Sequence, residues 1–336
     1  MTPNCQLGVS LAGAEFGCER IEFCNTRPGT YGKDYLYPTK ETIQYFARQG
    51  VGLYRIPFCW ERIQPQLNSD LDATELTRLL TCVREIAQAG GHTVLDVHNY
   101  GRYRLELDGT CRSVIIDEQI DGHVPVGRKH LADLWRRLAI AFEDETNVIG
   151  YGLMNEPHDL GSSDWKQISQ AAVDAIREVD QKTHVLVAGD GWSNSHRWEQ
   201  CNGPAAWIHD PVNRCVYESH CYFDATASGK YQLNYAEELR LDSTLPERPV
   251  QRIRGFIEWC RRNQVPGFIG EFGVPGDDPG WLNCLKDFLQ TVQAAGFPVC
   301  YWAAGEWWDE YPLSIHPQRG DQPAPQLSVL QDAFAS

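Results

Sequence analysis

Residues 148–156, VIGYGLMNE, pass from a short apolar run into the polar pair Asn155–Glu156, and the chain on either side is helical in pattern. GRKHLADLWRRLAIAFED (127–144) precedes the run and DWKQISQAAVDAIREVD (164–180) follows it, both with apolar residues at three-and-four spacing. A short apolar run between two amphipathic helices reads as one strand of a βα repeat around a parallel sheet. Working outward, the same alternation yields seven more strands: LGVSLA from Leu7, GLYRIP from Gly52, TVLDVH from Thr93, HVLVAG from His184, CVYESH from Cys215, GFIGEF from Gly267 and FPVCYWA from Phe297. Helical patterns at 39–50, 73–90, 251–263 and 280–296 fall between them, several closed by a glycine. Eight such units close into a (β/α)8 TIM barrel, an α/β fold. A doubly wound open sheet is the alternative. It is disfavoured because no GxGxxG opens a helix after a strand, and GDGWSN after the fifth strand breaks that pattern.

The chain has 336 residues, 42% of them apolar, enough for a large core, and no Ser/Gly/Pro-rich linker divides it. A single domain over residues 1–336 is expected. A formal charge of −15 repels phosphate backbones, which excludes nucleic acid as a partner. No run of 18 or more apolar residues is present, so no membrane association is expected. HExxH, an EF-hand loop and a GxSxG elbow are all missing, so neither a metal, a cofactor nor serine-hydrolase chemistry is expected. Twelve cysteines without CxxC pairs favour an oxidising compartment and some disulfides. Cys18 with Cys24 and Cys201 with Cys215 lie in loop sequence and would close short rings, so these are the expected bridges, whereas Cys82 and Cys260 fall in helical patterns and fit buried thiols. An extracellular protein whose signal peptide is absent from the chain is the matching expectation.

In a barrel the carboxyl ends of the strands converge on one mouth, where the chemistry sits. The sequence places Arg55, His98 with Asn99, Asn155 with Glu156, His220 with Tyr222, Glu271 and Trp302 at those ends. A lone glutamate there fits an arginine-paired structural carboxylate equally well. Two, on the fourth and seventh strands of one barrel, fit cleavage of a glycosidic bond better. One carboxyl protonates the leaving oxygen while the other, ionised, attacks the anomeric carbon. Arg55 is expected to hold Glu271 as the anion, with repulsion between the carboxylates keeping the proton on Glu156.

The motifs LMNEPHD (153–159), IGEFGVP (269–275), DVHNYGRY (96–103), YRIPFCWERIQP (54–65), ESHCYFD (218–224) and YWAAGEWW (301–308) together resemble glycoside hydrolase family 5 in order and strand position. The likeness spans nearly the whole chain, and HNYGRY is most similar to the endo-β-1,4-glucanase (cellulase) branch. The resemblance implies a retaining double displacement with Glu156 as acid/base and Glu271 as nucleophile. It also implies that Asn155 bonds the sugar 2-hydroxyl, that Arg55, His98, Asn99, His220 and Tyr222 order the carboxylates and the sugar, and that Trp302 floors the subsite. The implied substrate is a β-glucan polysaccharide or oligosaccharide, with no partner subunit required of a monomer; no separate carbohydrate-binding module is visible. A β-mannanase or β-1,3-glucanase of the same clan is the alternative enzyme. A non-catalytic polysaccharide-binding barrel is disfavoured, since binding alone needs neither glutamate.

Eleven tryptophans support a sugar ligand independently, because pyranose C–H faces stack on aromatic planes. Trp192, between Gly191 and Ser193, is the expected platform. Trp307 and Trp308 are expected to divide, one facing the cleft and one packed. Trp60 fits core or platform equally, and Tyr103 is a candidate to extend the line of subsites.

Overall fold

The eight apolar runs form eight parallel strands: β1 (Leu7–Leu11), β2 (Leu53–Phe58), β3 (His92–Val97), β4 (Val148–Gly152), β5 (His184–Ala188), β6 (Cys215–His220), β7 (Gly267–Glu271) and β8 (Val299–Ala304). Each pairs with its neighbour in chain order and β8 returns to β1, closing the barrel. This is the TIM-barrel fold. The structure, a computed structural model, describes residues 6–308, 310–317 and 323–334. Helices Lys40–Arg48, Ala73–Gln88, Arg128–Ala141, Trp165–Arg177, Arg248–Asn263 and Pro279–Ala295 form where the three-and-four patterns lie. The side chains of Thr39, Asp72, Asp164 and Asp278 accept first-turn N–H groups and so fix where four of them begin. Among the described residues, no helix is long and apolar enough to cross a membrane.

Residues two apart on a strand share a face, so the barrel is read in tiers. Val9, Ile56, Leu95, Tyr151, Val187, Tyr217, Ile269 and Tyr301, one per strand, belong to the large cluster between sheet and helices. Their alternates Leu53, Val94, Leu186, Val216, Phe268 and Cys300 form a separate apolar tier inside the barrel. β1 and β4 supply Gly8 and Gly150, where an added Cβ would lie 2.6 Å from Cys300 Sγ and 2.6 Å from Leu186 Cδ1 respectively. Two residues further along, the interior turns polar: Arg55, Asp96 and Glu218 are buried there. Above them stand His98 and His220, again two residues on.

The connection from β3 to the next helix carries an antiparallel hairpin, Arg102–Leu107 with Thr110–Ile115, that apolar-run reading does not anticipate. Its signal is present: RYRLEL alternates, and Asp108 and Gly109, at φ 50° and 75°, make the two-residue turn such hairpins use. The hairpin changes the disulfide pattern. Cys24 pairs with Cys111, 87 residues away, while Cys18, Cys201 and Cys215 are free thiols, so neither expected short bridge forms. The reason is spatial: Asn25 N–H donates to the Arg104 carbonyl at 2.9 Å and Glu106 N–H to Asn25 Oδ1 at 2.8 Å, which brings the loop around Cys24 onto the hairpin edge. Cys82 and Cys260 are buried thiols.

Candidate active site

Arg55 organises the mouth from below. It is wholly buried and aims Nη1 at Glu271 Oε1 (2.9 Å) and Nη2 at Asn155 Oδ1 (2.7 Å), while Asp96 Oδ2 lies 3.1 Å from Nη2 and Glu218 Oε1 lies 3.3 Å from Nε. Burial works against its charge, but the carboxylates of Asp96, Glu218 and Glu271 outweigh burial and hold the guanidinium protonated. Asp96 is likewise opposed by burial, and Arg55 and His98 more than offset it, so its pKa falls below the ordinary carboxylate value.

Each histidine stands two residues beyond one of these carboxylates. His98 Nδ1 meets Asp96 Oδ2 at 2.8 Å, and its Nε2 is 3.2 Å from Asn155 Nδ2. His220 Nε2 lies 3.4 Å from Glu218 Oε1, and its Nδ1 reaches Glu156 Oε1 at 2.7 Å and Glu271 Oε2 at 3.5 Å. Burial alone would lower the His220 pKa, yet Glu271, Glu156 and Glu218 reverse this and push it up to about 10. The raised value favours the imidazolium, which donates from Nδ1 to Glu156 and from Nε2 toward Glu218, with Glu271 Oε2 beside Nδ1 as a charge partner.

Glu271 reaches this place through a register slip. Ser219 pairs with Ile269 but His220 pairs with Glu271, leaving Gly270 as an extra residue on β7. Strict alternation from the inward Phe268 would point Glu271 at the helices; the bulge turns it to the barrel axis. There Tyr222 donates its hydroxyl to Glu271 Oε2 at 2.8 Å. Glu156 sits past the end of β4 with φ 41°, a left-handed conformation that costs a non-glycine residue of the order of 1–3 kcal/mol and that typifies functional sites. Single donor atoms of Glu156, His220 and Glu271 lie within 4.8 Å of one another. This is a possible three-ligand set for a metal, but the two ring nitrogens of His220 are already hydrogen-bonded, to Glu156 and to Glu218. The arrangement suits proton transfer and nucleophilic attack.

The other expected residues divide. Trp302 stacks on His98 with ring centroids 5.4 Å apart. Trp192 is 45% exposed and lies flat on His158, centroids 3.3 Å apart and planes 10° from parallel. Trp307 is 40% exposed and stands 6.2 Å from the Phe16 ring, and Trp308, packed on Phe16 and Tyr311, lines a cavity at the mouth beside Trp302. Asn99 does not touch the carboxylates: it accepts from Trp60 N–H and donates to Glu61, fixing the short helix Trp60–Ile63. Trp60 is core, and so is Tyr103. The latter is fully buried with its hydroxyl donating to the Gln64 carbonyl, and is not a cleft wall. Asp96 and Glu218 are the residues that motif reading passes over. Their signal is the two-residue spacing to His98 and His220, which on a strand means one face.

Comparison with known proteins agrees with this geometry. The profile of Cellulase (glycosyl hydrolase family 5) matches residues 9–307. The chain is 28% identical to endo-beta-1,4-glucanase B of Emericella nidulans over 96% of its own length and 90% of that protein, and 30% identical to endoglucanase gh5-1 of Neurospora crassa over 93% and 73%. Among solved structures it is similar to the Pseudomonas stutzeri endoglucanase Cel5A in complex with cellobiose (35% identity, TM-score 0.84, covering 98% of this chain and 92% of that one). It is also similar to XacCel5A in complex with cellopentaose (31% identity, TM-score 0.85, covering 98% and 99%). The strand-end carboxylates, their arginine and histidine partners and these matches lead to one assignment: the chain belongs to the cellulase family, glycosyl hydrolase family 5.

Proposed function

We propose that this cellulase is a retaining endo-β-1,4-glucanase that cleaves internal bonds of a β-glucan by double displacement. The observation that carries the reading is the spacing of Glu156 and Glu271, with donor atoms inside 4.8 Å and His220 between them. Retaining glycosidases need carboxylates about 5 Å apart, whereas inverting ones leave room for a water at about 6.5–9.5 Å. Glu156 protonates the glycosidic oxygen as the C1–O bond breaks, and Glu271 forms the bond to C1. Arg55 occupies Glu271 Oε1, which leaves Oε2, accepting from the Tyr222 hydroxyl with His220 Nδ1 at 3.5 Å, as the attacking atom. In the second step Glu156 takes a proton from water, whose oxygen displaces Glu271. Trp302, stacked beside His98, floors the sugar at the cleaved bond, and Asn155, held by Arg55, is aimed at its 2-hydroxyl.

The cellobiose and cellopentaose complexes of the similar endoglucanases support a β-1,4-glucan ligand. Every residue named in the two steps comes from one barrel, so a monomer suffices. The Cys24–Cys111 bridge supports an extracellular setting.

Two variants test the assignment. Glu271→Ala is expected to abolish turnover on every substrate. Glu156→Ala should lose about 10²- to 10⁴-fold on unactivated glucan but largely spare an aryl glycoside with a good leaving group, which needs little protonation. Equal losses on both substrates, or an inverted first product by NMR, would overturn the division of roles. Comparing carboxymethylcellulose, mannan and mixed-linkage glucan separates the glucanase from a mannanase.

A further inference from the structure

Glu15 is a carboxylate that the two chemical steps leave unused. It lies in the turn after β1, where the bridge between Ala14 and Phe58 ties it to the end of β2. Its Oε2 accepts from Gly13 N–H at 2.7 Å, and its backbone carbonyl accepts from the Cys59 thiol at 3.4 Å. The side chain is 5% exposed and Oε1 has no hydrogen-bond partner. A buried carboxylate oxygen without a donor is costly, so such a group in a fold calls for an explanation outside the empty protein. Burial outweighs both His98 and the Gly13 N–H and pushes this carboxyl up to about 7. Near neutral pH it therefore has both a protonated and an ionised form, and meets a hydroxyl as acceptor or as donor.

Its position says which hydroxyl. Glu15 lines a cavity of about 380 Å³ together with His98, Tyr100, Phe16, Trp302 and Trp308. On the glycanase reading the departing half of the substrate lies beside Glu156, where His158 hydrogen-bonds the Glu156 carbonyl and Trp192 stacks on His158. This cavity opens on the other side, over Trp302 and the loops that follow β1, β2, β3 and β8. On the same reading, the retained sugars lie there.

We propose that Glu15 is a further substrate-binding residue, whose unpartnered carboxyl oxygen hydrogen-bonds a hydroxyl of the glucan on the retained side of the cleaved bond. The assignment rests on the glycanase reading above and extends it to a residue outside the catalytic constellation.

The experiment compares kcat/KM for the wild type, Glu15→Gln and Glu15→Asp on an aryl β-cellobioside and on its monodeoxy analogues, with Tm recorded for each protein. Glu15→Gln is expected to lose about 10- to 100-fold on the intact cellobioside, the range of a hydrogen bond to a charged group, with Tm unchanged. One deoxy analogue should cost the wild type a similar factor, and the two losses should fail to multiply when combined, because both remove the same contact. Glu15→Asp, with its oxygen drawn back, should couple to that same analogue. A Glu15→Gln rate within threefold of wild type, or losses that multiply for every analogue, overturns the assignment. So does failure of both variants to fold, which would show that the empty protein itself requires the carboxyl. Absence of wild-type turnover overturns the glycanase reading and this one with it, while wild-type turnover beside an indifferent Glu15→Gln overturns this one alone.

Discussion

His220 is a cation on which three carboxylates depend, and that makes its contribution to stability a function of pH. Its ordinary value of 6.5 is pushed up to about 10 in the folded protein, burial being outweighed by Glu271, Glu156 and Glu218. A group whose folded pKa is raised stabilises the fold fully below its unfolded pKa, and that stabilisation is lost as pH rises through the folded value. His220→Asn keeps a donor toward Glu156 but removes the charge. The Tm difference between wild type and variant is therefore expected to be largest near pH 6 and to shrink steadily between about 6.5 and 10, as thermal melts across that range would report. A difference that stays flat from pH 6 to 10 would mean that His220 acts through packing alone. Arg55 shows no such dependence over this range, because its charge persists throughout.

At the level of the strand, Gly270 decides whether this charge network can form. A Cβ there would lie 1.9 Å from Glu218 Oε1 and 2.7 Å from its Cδ, and Glu218 cannot retreat without leaving Arg55 and His220. Gly270→Ala is expected to cut kcat on glucan at least tenfold and to lower Tm, since displacing one partner of a buried ion cluster costs about 3–5 kcal/mol. The control is Gly255→Ala on the helix Arg248–Asn263, where an added Cβ meets nothing within 4 Å. It should raise stability by up to about 1 kcal/mol through helix propensity, without changing kcat. A Gly270→Ala enzyme with wild-type kcat would refute the steric argument. The same strand marks the limit of sequence reading. Eight strands and six helices are legible because burial imposes a period of two or of three to four on the residues. Asp96 and Glu218 obey that period and were open to the same logic, two residues before each histidine. Glu271 does not, for alternation alone sends it outward; its place at the end of an apolar run and the motif IGEFGVP identify it, but how it turns to the axis shows only in the bulge at Gly270.

Across the whole molecule, what escapes the sequence is closeness between segments far apart in the chain. Cys24 and Cys111 meet because a loop after β1 lies against a hairpin after β3, and nothing periodic in either segment announces it. Trp60 and Tyr103 share motifs with cleft residues yet point into the packing beneath them, while Asn99 lines the cavity at the mouth but spends its amide on Trp60 and Glu61. Trp192 is the opposite case. Its backbone N–H donates to the Pro157 carbonyl at 3.0 Å, His158 lies under its ring, and Tyr100 stands 6.1 Å away, so under the proposed function it extends the cleft from the Glu156 side. A sugar stacked on this face is remote from the bond being broken, so its binding energy enters the rate only when the substrate is long enough to reach it. Trp192→Ala is therefore expected to lower kcat/KM on long cello-oligosaccharides by about tenfold, which corresponds to about 1.4 kcal/mol, and to leave an activated monosaccharide or disaccharide nearly unchanged. Tm should hold, because a ring 45% exposed contributes little to the core. An equal loss on short and long substrates, or a collapse in Tm, would place Trp192 among the packing residues and move the platform elsewhere along the cleft.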